Sequence, residues 1–342
     1  MTQPSLDAER GGLEGGPGPA VAVRLPRTYD PPRLARDLAA LEGIELHRQP
    51  GPYHSGEWRG ISLRSMAGEQ AASPSFPGLS GYAPTEALKR APYFAQILEE
   101  LPCPKQVVRL MTLPPGGEIR SHFDLHTNFQ FGLVRLHVPI ETNPDVRFEI
   151  GGQPCRWKEG ELWYGDFSTS HSVKNEGSVR RVHMVIDVEI SDELLAWFPA
   201  DFVAAQEELG ISKVQPPLPL STDRLRRFEC KYRIPGDVMP LLVLQPLRES
   251  LRGAEASLRL VGDRLVTHIG DEPVFAHRPI AEDELDFLGF SSGVRMRFRF
   301  DGERVEELEL ILRGLPKNLA AGRLGVRTGP HLPLRTVPLL LL

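Results

Sequence analysis

Hydrophobic and polar positions change their period along this chain, and the change divides it. Val21–Leu25 reads as a first strand. Asp30 then takes the place of a helix N-cap, with Pro31 at the first helical position. Leu34, Leu38 and Leu41 follow at spacings of four and three, the apolar stripe of a short helix. Trp58–Arg64 alternates and reads as a strand, and residues 66–84, rich in Ser, Pro and Gly, read as a long loop. Phe94, Ile97, Leu98 and Leu101 mark a second amphipathic helix, ended by Pro102 and Pro104. From Val107 to Ile190 the period shortens to two. The runs 107–113, 133–140, 146–150, 161–167 and 182–190 are the candidate strands, separated by turn signals such as PPGG, TNPD and GGQP. That is the profile of a β-sandwich or barrel.

Beyond PPLP at 216–219 the alternation resumes in SLRLVGDRLVTHIG, VRMRFRFDGERVEELELIL and LPLRTVPLLLL, with GD and DG as hairpin turns. The expected organisation is a disordered Gly/Pro-rich leader (1–19), a β-rich domain with flanking helices (20–205), a linker (206–220) and a second β-rich domain (221–342).

Composition narrows the function classes. Lys+Arg number 40 against 45 Asp+Glu, a net charge of −5, which argues against a general nucleic-acid binder. The three cysteines (103, 155 and 230) form no CxxC pair, which argues against a disulfide framework or a cysteine zinc site. The start lacks the plan of a signal peptide, and no run approaches the ~20 apolar residues of a spanning helix. The expectation is a cytoplasmic protein with no membrane and no nucleic-acid partner.

The candidate chemistry lies in Arg120-Ser-His122-Phe-Asp124-Leu-His126. In an extended segment residues two apart share a face, so His122 and Asp124 could bind one ion together with His171, which follows the strand ELWYGDF. Two histidines and one carboxylate with open positions suit non-haem Fe(II). His126 lies on the same face and leaves a local zinc site open, and a turn histidine beside a solvated aspartate is the bland alternative. Two strands add to the picture. One puts Arg135 and His137 on one face, the other Arg181, His183 and Asp187, each opposite a continuous apolar face. Arginine holds a carboxylate by two parallel hydrogen bonds, so these faces could line a pocket for a dicarboxylate such as 2-oxoglutarate; otherwise they are solvated salt-bridge partners.

Taken in order, HFD at 122–124, RLH at 135–137, WKEGELWYGDFSTSH at 157–171 and RVHMVIDVE at 181–189 resemble the aspartyl/asparaginyl β-hydroxylase family of Fe(II)/2-oxoglutarate oxygenases. The upstream GEWRGISLRS resembles the bacterial proline cis-hydroxylases of that family, and the resemblance spans roughly residues 20–200. It implies a double-stranded β-helix (jelly-roll, cupin-like) core. It also implies iron ligation by His122, Asp124 and His171, and pairing of Arg181 with the distal carboxylate of 2-oxoglutarate. Arg135 and His137 would contact or support that co-substrate, and Asp166 would play a structural part nearby. O₂ is the third participant, and the implied reaction hydroxylates an unactivated C–H of an amino acid, free or within a peptide, releasing succinate and CO₂. Animal members lack the carboxylate ligand, so Asp124 favours the bacterial small-molecule type. Trp58, Arg120 and His126 are candidate substrate contacts. The competing expectation is a non-catalytic or zinc-binding cupin-like module. The C-terminal part loosely resembles β-modules appended to some bacterial serine hydrolases; its His268 and His277 are expected on a β surface rather than at a metal.

Overall fold

The computed structural model describes residues 20–49, 52–54, 58–70, 78–124, 127–234, 251, 253–313 and 335–342. The expected leader and His126 lie outside the described residues. Among those described, eight strands form one sheet: β1 (Ala22–Thr28), β2 (His47–Arg48), β3 (Arg59–Met66), β4 (Tyr82–Pro84), β5 (Lys105–Leu113), β7 (Leu133–Glu141), β10 (Glu161–Gly165) and β12 (Arg181–Glu189). Four more form a second sheet: β6 (Glu118–His122), β8 (Val146–Ile150), β9 (Gln153–Pro154) and β11 (His171–Asn175). The large sheet runs β1-β10-β7-β12-β5-β3-β2 with β4 beside β3, and the small one β6-β11-β8-β9. This is the two-sheet jelly-roll architecture expected from the sequence.

Helices cover the outer face of the large sheet. α1 (Pro31–Ala40) starts where Asp30 accepts the Arg33 amide at 2.9 Å, with proline at its first position. α2 (Glu86–Lys89) is a single turn, and α3 (Pro92–Glu100) presents Phe94, Ile97 and Leu98 inward. The aspartate on the buried side of α1 is structural. Asp37 accepts the amides of Tyr93 and Phe94 at 2.7 and 2.9 Å, tying α1 to the start of α3. Leu34, Phe94 and Ile97 pack on Val134, Leu136, Val182, Met184 and Ile186, so the apolar faces of β7 and β12 point at the helices. Their polar faces must then point between the sheets. α4 (Asp192–Leu195) and α5 (Ala200–Leu209) follow β12, and the segment expected as loop at 66–84 contains β4.

After α6 (Thr222–Arg226) the chain forms a closed antiparallel barrel. Its strands are β13 (Cys230–Arg233), β14 (Glu255–Val261), β15 (Arg264–Ile269), β16 (Glu272–Pro279), β17 (Glu284–Phe287), β18 (Val294–Asp301), β19 (Arg304–Leu312) and β20 (Arg335–Leu341). The GD turn joins β14 to β15 and the DG turn joins β18 to β19. Met296 and Phe298 point inward, whereas Arg297 and Arg299 pair outside with Glu284, Glu306 and Glu307. The expectation that His268 and His277 lie on a surface fails, because both are buried. His277 shares the inward face of β16 with Phe275. There its Nε2 meets the Thr267 hydroxyl at 2.7 Å, which in turn meets the Tyr232 hydroxyl at 3.1 Å. Burial pushes the His277 imidazole down to about 3.

The barrel seats against the large sheet. The Gly293 amide donates to the Phe131 carbonyl at 2.9 Å, and a Cβ at position 293 would lie 2.2 Å from that oxygen, so only glycine fits. Phe131 packs edge-on against Phe290, and Gln106 of β5 donates to the Phe290 carbonyl at 3.1 Å. Beside this contact Glu189 faces Arg278 at 3.8 Å, and Arg278 also reaches Asp286 at 3.3 Å, with Arg295 on the far side of Asp286. Burial outweighs Arg278 and Gln106 and pushes the Glu189 carboxyl up to about 7. A carboxyl that holds its proton to about 7 in the fold and to 4.5 in the free chain stabilises the fold as pH falls through that window. The melting temperature of the wild type, relative to Glu189→Gln, is therefore expected to rise between about pH 8 and pH 5. A fall would show that Arg278 favours the ionised form.

Candidate metal centre

β6 and β11 pair so that His122 and His171 sit directly opposite one another, with ring centroids 4.2 Å apart. Asp124 lies two residues beyond the end of β6, where its amide donates to the Phe167 carbonyl at 2.8 Å. One potential ligand atom from each of His122, Asp124 and His171 lies within 4.8 Å of the others. The extended register expected for residues 122–124 thus holds for His122, while a backbone anchor outside the strand places Asp124.

The tautomers are set from behind. His122 Nδ1 lies 2.8 Å from the Arg120 carbonyl and His171 Nδ1 lies 3.0 Å from the Thr169 carbonyl. A carbonyl only accepts, so each Nδ1 carries the hydrogen and each Nε2 presents a lone pair. Burial is the main force holding the His171 imidazole down at about 4, so it is neutral at physiological pH. Asp124 gives one oxygen to the Arg135 guanidinium, and its other oxygen faces His122 Nε2 at 4.0 Å. Burial works against ionising Asp124, but Arg135, His171, His122 and Arg109 together hold its carboxyl below the usual range. The result is two imidazoles, each with Nε2 turned inward, and one carboxylate converging on one point, a donor set that could hold a divalent metal.

The polar face of the large sheet forms the opposite wall. Arg135 is bound at both ends: to Asp124, and to Asp187 at 2.7 and 3.0 Å across the β7–β12 ladder. It has no fork left for another anion. Arg181 is different. It is 3% exposed, and among the described residues no carboxylate lies within ion-pair reach and its Nε has no partner. Its Nη2 donates to His183 Nδ1 at 3.0 Å, and Phe148 lies under the guanidinium at 5.2 Å. Burial without a counter-ion pushes this guanidinium down to about 9. His137 stacks on Phe167 and has no partner at Nε2 among the described residues; burial, then Arg181, holds it and His183 far below the usual histidine value. Arg135, His137, Arg181 and the three candidate ligands all line one cavity of about 180 Å³.

Other expected site residues take supporting places. Asp166 accepts the Ser168 amide at 3.1 Å and shapes the turn before His171, a structural part. Arg120 donates to the Pro52 carbonyl, and its own amide donates to the Tyr53 carbonyl at 2.8 Å. It thereby holds down the segment from which Tyr53 stacks on His122 at 4.5 Å. Trp58 lines the cavity beside them. The zinc alternative rested on His126, which lies outside the described residues. Sequence reasoning missed Gln49, Tyr53 and Arg109 as cavity residues. For Arg109 a signal was present: it is the one charged residue in the apolar run from Val107 to Leu113.

Known proteins share parts of this architecture. Residues 36–190 match the family model described as aspartyl/asparaginyl β-hydroxylase. Among solved structures, the chain resembles a 2OG-Fe(II) oxygenase-family oxidoreductase from Burkholderia pseudomallei at 11% identity and TM-score 0.35, covering 49% of this chain and 85% of that one. It resembles a Pseudomonas putida prolyl-4-hydroxylase at 13% identity and TM-score 0.32, covering 50% and 93%. A cupin domain from Bordetella pertussis matches at 19% identity and TM-score 0.21, covering 27% and 88%. These structural likenesses transfer no residue role. No described helix is long and apolar enough to cross a membrane. The whole His-Asp-His cluster lies within residues 36–190, the part of the chain that matches the aspartyl/asparaginyl β-hydroxylase family model.

Proposed function

We propose that this chain is an Fe(II)/2-oxoglutarate-dependent dioxygenase that hydroxylates an unactivated C–H of an amino acid, free or within a peptide. The observation that carries the proposal is a pairing. A cluster whose two histidines are both fixed with Nε2 free shares a cavity with a buried guanidinium that has no counter-ion among the described residues. His122, Asp124 and His171 would hold the iron, and Arg181 would hold the distal carboxylate of 2-oxoglutarate. When bound, iron and 2-oxoglutarate supply with O₂ the oxidising power for hydroxylation, with succinate and CO₂ as co-products.

The chain's own residues do the rest. Arg135 occupies one oxygen of Asp124 and leaves the other for the metal. It also cancels the charge of Asp187, so that carboxylate does not repel an incoming dianion. Arg109, Arg135 and Arg181 outnumber Asp124 and Asp187, leaving one positive charge in excess before any metal binds. Phe148, Phe167 and Val185 line the cavity with apolar surface, which excludes water and strengthens each polar contact.

The test is spectroscopic and then chemical. Apo-protein mixed anaerobically with Fe(II) and 2-oxoglutarate should show a weak visible charge-transfer band, and on admitting O₂ with substrate should release succinate. A folded protein that binds Fe(II) but gives no such band would remove the 2-oxoglutarate assignment.

A further inference from the structure

A second cavity, of about 650 Å³, lies beyond Arg181, whereas the one around the metal cluster holds about 180 Å³. Register places it away from the cluster. On β8, Ile150 stands opposite the candidate ligand His171, Phe148 opposite Val173, and Val146 opposite Asn175. Phe148 lines both cavities and Val146 the outer one, so β8 leads from the cluster into the second cavity. β12 agrees. Asp187, tied through Arg135 to Asp124, lies six residues along that strand from Arg181, about 20 Å. Arg181 also lines both cavities, so its guanidinium and the Phe148 ring are the wall they share.

The outer cavity suits an anion in transit. Arg156 and Lys158 are exposed at its rim, and Arg181 lies buried at its floor. Glu159 is the one carboxylate among the described residues that line it, and it accepts the Thr142 amide at 3.0 Å. Three cations against one carboxylate draw a dianion inward. Between rim and floor the wall is aromatic: Trp157 stands edge-on to Phe148 at 4.8 Å and stacks on Trp163 at 5.3 Å. A carboxylate passing it meets the Arg181 guanidinium, whose Nε has no partner among the described residues. Pairing there relieves the cost of a buried, unmatched cation.

We propose that this cavity is the loading route of the dicarboxylate co-substrate: 2-oxoglutarate enters and succinate leaves past Arg156, Lys158 and Phe148, on the side of Arg181 away from the metal cluster. The proposal rests on the oxygenase reading, which supplies both dicarboxylates. The keto-acid end goes in first and the distal carboxylate stops at Arg181. Phe148 is the gate. The metal side is left to the substrate, so a lodged substrate does not trap the co-substrate or its product.

The test follows rates. Full-length protein loaded anaerobically with Fe(II) is mixed rapidly with 2-oxoglutarate at low salt, and the growth of the charge-transfer band is followed. The slope and intercept of the observed rate against concentration give association and dissociation. Arg156→Glu combined with Lys158→Glu should slow association about tenfold or more, and the difference should shrink toward 1 M salt. Lys231→Glu combined with Arg264→Glu makes the same change in net charge at exposed barrel positions and should leave the rate unchanged. Thr142→Trp narrows the cavity with neutral bulk. It should slow association and dissociation by the same factor and leave Kd unchanged, which a barrier on the route does and a damaged binding site does not. If the tryptophan disturbs folding, the rim pair and its control decide. Equal slowing by the rim and barrel pairs, or wild-type rates in both rim pair and Thr142→Trp, would overturn the route while leaving the oxygenase reading intact. A wild type with neither a band nor a heat of binding for 2-oxoglutarate would remove that reading, and the route with it.

Discussion

Replacing Asp124 with alanine is expected to abolish hydroxylation while leaving the chain folded. Loss of a residue that merely supports a metal site costs roughly 10- to 100-fold, and loss of this carboxylate, one of three donors, should cost more. The fold should survive because Arg135 keeps both of its bonds to Asp187. Breaking a buried ion pair outright typically costs about 3–5 kcal/mol, and here the stranded guanidinium retains a partner, so the loss should be smaller. Iron content after desalting and 2-oxoglutarate consumption are the two readouts. Wild-type activity in the variant at matched iron loading would remove Asp124 from the ligand set.

The second large effect has opposite signs on binding and on stability. Arg181→Met should weaken 2-oxoglutarate by about 30-fold or more, since truncating one partner of a buried charged pair costs about 2–5 kcal/mol. The charge-transfer band should vanish at co-substrate concentrations that saturate the wild type, while Fe(II) still binds. The metal-free variant should nevertheless be more stable than the wild type. Burial pushes the Arg181 guanidinium down to about 9, below its value of 12.5 in the free chain. At neutral pH it is charged in both states, so the fold bears the cost of a buried, unpaired cation, and that cost eases only above about pH 9. Methionine removes the charge and fills much of the space, for an expected gain of up to a few kcal/mol. Denaturant unfolding without metal measures this, and a destabilised variant would show that His183 and Phe148 compensate the cation better than geometry indicates.

Much of the scaffold was legible because its signals are local. Alternation located β5, β7, β8, β10 and β12, and the cap at Asp30 with Pro31 located α1. The strands that carry the histidines, β6 and β11, were not among the candidate strands. EIRSH and HSVKN are short and polar, and what makes them strands is their pairing with one another and with β8. Strand polarity of this kind reads as loop until the partner is known. His122, Asp124 and His171 could be nominated from the order of motifs, and Arg181 from its place on a polar face. The different fates of Arg135 and Arg181 could not. Both sit in Arg-x-His on an alternating strand, but only Arg135 meets two carboxylates, one of them from the opposite sheet's side of the cavity. Gln49 and Tyr53 lie in a segment with no regular pattern, so nothing local marked them as cavity residues.

The closing strand of the barrel bears on how the chain is made. β20 pairs with both β19 and β13, and β13 begins about a hundred residues earlier, so the ring cannot shut until this last stretch has left the ribosome. The jelly-roll strands all precede it and need nothing from it to pair. Synthesis therefore passes through a stage in which the jelly-roll strands can be paired while β13 and β19 stand as two open edges. Such edges recruit other strands, so a chain released early, or stalled before Arg335, is the form most prone to aggregate.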